Sequence, residues 1–175
     1  MCTAMKFEAL SEVKATCPRC SAPRVSNACG ICTTVVCKEC IEFVDGVTFS
    51  YMSVVPDELK HTHYCMQCYN TTVAPALANY RSIMSRAKKV FIIDKPQRRP
   101  LPVTKQFKKA IQVKDCPDRE ETVLRLAFRA AELGYNAVLK TNVIYKKVRN
   151  AGYQKMIWEA TGFPADLDPV KLESY

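Results

Sequence analysis

No stretch of this sequence approaches the roughly 18 consecutive apolar residues that a helix needs to cross a bilayer, so none reads as a membrane span. The opening residues, MCTAMKFEALSEVK, reach an acidic residue by position 8 and have no long apolar core, which does not fit a secretory signal. A cytoplasmic location is the resulting expectation, and in that reducing compartment paired cysteines favour metal ligation over disulfides. Sequence repeats, phosphate-binding loops, nucleophile–base pairs and carboxylate dyads are all missing, so the chain is not expected to be an enzyme. Acids are nearly absent from one region: positions 81–114 hold 11 Lys and Arg, with Asp94 as the sole counterweight.

What is present is a folded composition, 48% hydrophobic and 25% charged over 175 residues, enough for one medium domain or two small ones. Ten cysteines are unevenly spread. Cys2 and Cys116 stand alone, while the other eight form four CxxC pairs between Cys17 and Cys68. Charge divides the chain in the same way: residues 1–72 carry 6 bases and 7 acids, residues 73–175 carry 20 and 10. Two halves of different chemistry follow.

The cysteine pattern reads C17-x2-C20-x8-C29-x2-C32-x4-C37-x2-C40-x24-C65-x2-C68. A CxxC turn sets two thiolates on one side of a tight loop, and zinc takes four such ligands tetrahedrally, so four pairs make two closed, structural sites of four cysteines each. A redox motif would need a single CxxC in a βαβ setting, and a disulfide framework would need a secretory context. Iron–sulfur ligation also uses four cysteines, but even CxxC spacing through all four pairs suits zinc better. His61 and His63 read as solvated loop residues, since eight cysteines already complete two sites. Some 55 residues with small hairpins bury too little to be stable alone, whereas structural zinc supplies roughly 10–16 kcal/mol apparent per site.

Pair, gap, two close pairs, a hairpin and a last pair followed by a helix: over residues 14–88 this resembles the FYVE zinc finger and its cross-brace relatives of the PHD and RING type. The resemblance implies interleaved sites, Cys17, Cys20, Cys37 and Cys40 on one zinc and Cys29, Cys32, Cys65 and Cys68 on the other. Interleaving would also tie the hairpin and both flanks into one unit. The family's lipid-binding residues have no match: Ser26-Asn27-Ala28-Cys29-Gly30-Ile31 replaces its basic stretch, and His63-Tyr64 replaces its last Arg-Val. Phosphoinositide-specific binding is therefore not expected. The RING reading, a ubiquitin-transfer adaptor with an apolar groove near Ile31, Val35 and Val36, is disfavoured by the gap lengths and by the missing histidine ligand.

Along the chain, IEFV-DG-VTFSYM (41–52) predicts a hairpin turning at Asp45-Gly46. A helix capped by Thr71 or Thr72, with Pro75 in its first turn, follows, then a strand over 90–94. The prolines of 95–104 mark a loop, FKKAIQV (107–113) a strand, and Asp115 or Asp118 opens a helix that Gly134 ends. Residues 137–148 and 153–160 form a hairpin, and the chain from Phe163 onward reads as turns. The fold class is α+β: a cross-brace two-zinc finger with short β-hairpins and a following helix (14–88), a strand and Pro/basic linker (89–106), and a small unit with a helix on an antiparallel sheet (107–175). AAELGYNAV (130–138), with the hairpin ending near EATG (159–162), is similar to the YbjQ-like family, described as heavy-metal-binding and ring-forming. That resemblance implies homo-oligomers through the C-terminal domain, but no metal ligands there, since this half has one cysteine and no histidine. Cys116 is expected to be an inert thiol and Trp158 a core residue.

The function expected is protein binding by the finger. The alternative is nucleic-acid or acidic-phospholipid binding through Arg81, Arg86, Lys88, Lys89, Arg98, Arg99, Lys105, Lys108 and Lys109, where a cluster of cations would meet phosphate groups.

Overall fold

The computed structural model describes residues 16–95, 100–150 and 152–172. They fall into two compact units, one of residues up to 48 together with 56–75, the other of 49–55 together with residues from 76 onward. Among the described residues, no helix is long and apolar enough to cross a membrane.

The first unit is built on two short antiparallel ribbons. Strand β1 (Asn27–Ala28) pairs with β2 (Val35–Val36), and β3 (Ile41–Phe43) pairs with β4 (His63–Cys65). The partner of β3 is thus not the 47–52 segment that the Asp45-Gly46 dipeptide predicts. A type I′ turn needs positive φ at both central residues, and neither Asp45 nor Gly46 has it. The Asp45 carboxylate instead accepts the Val47 N–H (3.1 Å), and its carbonyl accepts the Thr48 N–H (3.0 Å), an Asx turn. The aromatic residues that follow belong to the second unit, where Phe49 packs on Tyr80 and Tyr51 on Phe128.

Helix α1 (Met66–Cys68) starts directly after Cys65 and runs on through a π-helical stretch, Tyr69–Val73, into α2 (Ala74–Ala87). The helix therefore begins earlier than a Thr71 or Thr72 cap would have it; the Thr71 hydroxyl lies inside it and donates to the Gln67 carbonyl (2.9 Å). Pro75 accounts for the π stretch. It has no N–H to give the carbonyl four residues back, and its ring crowds that carbonyl. The turn before it widens, and the Ala74 N–H bonds Tyr69 O, five residues back.

The second unit is an α/β layer pair. Its sheet runs β5 (Phe91–Ile92), β8 (Ala137–Asn150), β9 (Tyr153–Leu167), β6 (Val103–Gln106), with β7 (Ile111–Cys116) also on β9. All pairings are antiparallel except β5 with β8. Of the strand expected over 107–113, only 111–113 is strand, within β7. Phe107–Ala110 is the turn between β6 and β7, which lie end to end along β9, and β6 begins inside the stretch expected as a loop. The tail after Phe163, expected as turns, continues β9 to Leu167. Pro164 is tolerated there because a strand residue points its N and C=O to one side. Its carbonyl accepts from Phe107 (2.8 Å), so the missing N–H faces the gap between β6 and β7, where no ladder partner stands.

Helix α3 (Arg119–Glu132) follows its sequence signals closely. Asp118 caps it by accepting the Glu121 N–H (2.8 Å), Glu121 pairs with Arg125 one turn on (2.8 Å), and Gly134 at φ +85° closes it. Leu126 and Ala130 press onto Val113, Cys116, Val138 and Ala160 of the sheet, while Ala127, Phe128 and Ala131 meet Ile83 and Ala87 of α2. Trp158 is partly buried against the first of these clusters. Helix α4 (Pro169–Leu172) ends the described chain.

Candidate metal centres

The eight paired cysteines gather into two groups, Cys17, Cys20, Cys37 and Cys40, and Cys29, Cys32, Cys65 and Cys68, with the sulfurs of each group all within 4.8 Å of one another. Each group combines one knuckle with one helical turn, and the local sequence explains both. In the first knuckle the Ser21 N–H bonds Cys17 O (2.8 Å) and the Cys17 N–H bonds Ala22 O (2.9 Å). In the second, Thr33 N–H bonds Cys29 O (2.9 Å) and Cys29 N–H bonds Thr34 O (3.0 Å). Ser21 and Thr33, each directly after the second cysteine, take positive φ (58° and 60°), which folds the backbone around the sulfurs. The other pairs sit on helical turns: Cys37–Cys40 closes through Cys40 N–H to Cys37 O (3.1 Å), and Cys65–Cys68 opens α1.

The ribbons explain why the groups interleave. β1 and β2 place the second knuckle, which belongs to one group, between the two halves of the other. β3 leaves Cys40 and pairs with β4, which delivers Cys65, so neighbours in sequence serve different centres. Such a pattern fits a cross-brace finger. The sulfur spacing can be tested against a metal. Four thiolates at a Zn–S distance of about 2.3 Å lie about 3.8 Å apart at the corners of a tetrahedron. Cys32 and Cys65 are 3.7 Å apart, and Cys20 and Cys37 are 3.4 Å apart. Either group could hold a metal ion, and all-thiolate donors in that geometry are consistent with zinc.

Electrostatics point the same way. Backbone hydrogen bonding from Cys37 lowers the Cys17 thiol to about 6, and the Thr34 hydroxyl, 3.3 Å from Cys32 Sγ, lowers Cys32 to about 6. Burial, then the neighbouring sulfurs, pushes Cys40 up to about 12 and Cys68 up as well. Four thiolates this close cannot all carry charge without a cation among them. A divalent ion removes that conflict and displaces the remaining protons.

All nine described cysteines are free. Cys116 is buried in the second unit, where burial raises its thiol, and it belongs to neither group. His61 and His63 are not in either group. His61 instead packs over Gly30, whose N–H donates to His63 O (2.8 Å). Sequence reasoning overlooked Thr34; a hydroxyl two residues after a ligand cysteine is the signal that could have found it. Beside Cys32 and Cys65 of the second group lies a cavity of about 300 Å³ lined also by Pro18, Arg19, Thr34, Val36, Met66 and Gln67.

The basic residues of 81–114 are spread through the second unit. Arg81 and Arg86 lie exposed on α2, Lys88 and Lys89 lead into β5 at one edge of the sheet, and Lys105 lies on β6 away from that edge, over the Tyr135 ring (5.3 Å). Lys108 and Lys109 are in the turn after β6. Arg98 and Arg99 lie outside the described residues.

No family model matches the chain, and no curated protein matches it either. Among solved structures, it is similar to a protein of unknown function of the DUF74 family from Pediococcus pentosaceus ATCC 25745. Identity is 12%, over 45% of this chain and 98% of that one, with a TM-score of 0.32.

Proposed function

We propose that the chain is a non-enzymatic, zinc-binding interaction protein of the cytoplasm. Its FYVE-like, cross-brace finger is held by two structural Zn²⁺ ions and binds another protein. Cys17, Cys20, Cys37 and Cys40 hold one ion and Cys29, Cys32, Cys65 and Cys68 the other. The observation that carries the reading is the gathering of four thiols within 4.8 Å of one another in each group, a set that would fill a tetrahedral ion's coordination without water or substrate. Closed sites fix surfaces. The surface fixed here is the cavity beside Cys32 and Cys65, whose apolar Pro18, Val36 and Met66 sit with polar Arg19 and Gln67. An apolar floor with a few polar groups suits a peptide segment. The basic groups that would neutralise a phosphoinositide headgroup are absent from the stretch around Cys29, which favours a protein over a lipid.

Selection of a random linear peptide library on the zinc-loaded full chain tests this. Two zinc ions per chain are expected by native mass spectrometry. Selected peptides should lose at least ten-fold in affinity on Met66→Glu, with both zinc ions retained. Peptides indifferent to Met66→Glu, or none selected, would overturn the peptide-binding reading, and a metal count other than two would overturn the zinc reading.

A further inference from the structure

We propose that the α3-side face of the β8–β9 ribbon is a binding surface for single-stranded nucleic acid. Beyond Trp158, the last β9 residue before the tip that pairs with β7, the two strands continue alone as far as the pair Asn150 and Tyr153. A two-stranded ribbon with both faces in water is marginal by itself. On the α3 side this one leaves Tyr145 and Met156 exposed beside the partly buried Trp158, while Ile144, Val148 and Tyr153 are exposed on the opposite side. Such a surface marks a contact site.

Its chemistry selects the occupant. Directly opposed residues share a face, so Tyr145 and Trp158, then Lys147 and Met156, then Arg149 and Gln154, line the same side. The same side carries Val143 and Ala160, which continue onto the core under α3. From Val143 to Trp158 the sequence has four cations and no acid. The nearest acid, Glu159, lies on the opposite face and is engaged by Lys146 (2.9 Å). Lys147 and Arg149 thus stand on this side without a counter-charge among the described residues of the ribbon, which suits phosphates spaced along a backbone. Tyr145, 55% exposed, packs against Trp158 at 5.4 Å and presents a ring on which a base can stack. At the root of the ribbon, Val143, Asn142 and Thr141 meet Arg119 and Val123 of α3 around a cavity of about 510 Å³, with Asp94 its one acid. That volume admits a base-sized group. A second copy laid face to face would set Lys147 and Arg149 against the same cations, so self-pairing through this side is disfavoured.

Trp158 is the only tryptophan, so its fluorescence reports the site directly. Single-stranded 20-mer DNA and RNA titrated into the full zinc-loaded chain should quench it, with affinity falling steeply as salt rises. Tyr145→Ala should weaken binding about ten-fold. Lys147→Ala with Arg149→Ala should reduce the slope of log affinity on log salt by about 1.4, the share of two phosphate contacts on a single strand. All three side chains are exposed, and retained circular dichroism certifies the fold of the variants. Quenching by anionic phospholipid vesicles but not by oligonucleotides would overturn the proposal. So would duplex DNA binding as tightly as the single strand, or the double variant binding like the parent. Met66→Glu should bind nucleic acid normally, which separates this surface from the proposed peptide site on the finger.

Discussion

The two units of this chain bury different kinds of side chain. In the first, three of the five residues in the central buried cluster are cysteines (Cys17, Cys37 and Cys40), with Val36 and Ile41 as the aliphatic remainder. In the second, α3 and the sheet bury Leu126, Val138, Ala130 and Ala160, and α2 and α3 enclose Phe128. A core of thiols contributes little hydrophobic stabilisation per residue compared with Leu and Phe. On the proposed zinc reading, placing sulfurs where aliphatic groups would otherwise pack would make the fold of the first unit depend on coordination, whereas the second depends on area removed from water. The contrast predicts that each unit has its own lever, and that pulling one leaves the other in place.

The largest effect should come from removing metal. Structural zinc is worth roughly 10–16 kcal/mol apparent per site, more than a small unit with this core has to spare. Treating the zinc-loaded chain with a strong chelator at neutral pH should abolish amide-exchange protection over β1–β4 and leave α3 and β7–β9 protected. Protection that persists in the first unit with no metal bound would break the comparison. Acid should act in the same direction. In the loaded centre the thiolates have lost their protons to the ion, so the stabilisation is present at neutral pH. It fades as pH falls and the thiols, with Cys40 at about 12 when metal-free, reclaim those protons. Metal release followed with a chromogenic indicator should therefore rise as pH falls below neutrality.

Phe128→Ala pulls the other lever. The ring is fully buried against Tyr51 and Tyr80, and its loss should cost the second unit about 3–5 kcal/mol. Denaturant unfolding followed by Trp158 fluorescence should show it, while native mass spectrometry still counts two zinc ions. Loss of zinc in this variant would mean that the two units do not have separate levers.

How far the sequence reveals each unit follows from the same contrast. The cysteine spacing carried the ligand set, and the family resemblance carried its sorting; the structure gathers the sulfurs in those two sets. In the second unit the C-terminal end of α3 was legible at Gly134, and its start was narrowed to Asp115 or Asp118, of which the structure uses Asp118, because these signals act locally. The features that were not legible depend on partners distant in sequence. Asp45-Gly46 looks like a hairpin turn until the Asp45 carboxylate captures Val47 and the following aromatic residues join the second unit. Gly162-Phe163-Pro164 looks like a strand end, yet β9 continues because the gap between β6 and β7 leaves room for a residue without an N–H. The start at Met66 was hidden because Cys65, the residue before the helix, makes no side-chain cap there.

Two glycines, one in each unit, sharpen the comparison at smaller scale. At Gly30 the backbone is ordinary, but an added Cβ would overlap Cβ and Cγ of His61. Gly30→Ala should therefore cost about 1–3 kcal/mol by overpacking, read as weaker zinc retention against a competing chelator. His61→Gly should rescue it; His61→Ala should not, because the overlap includes the Cβ itself. At Gly134 there is open space around an added Cβ but φ is +85°. Gly134→Ala should cost about 1 kcal/mol through the backbone alone, measured by denaturant unfolding of the second unit, with no neighbouring substitution able to relieve it. Gly134→Asn should cost less than Gly134→Ala, since asparagine tolerates left-handed φ. Equal costs for the two replacements would place the penalty in packing rather than in the dihedral.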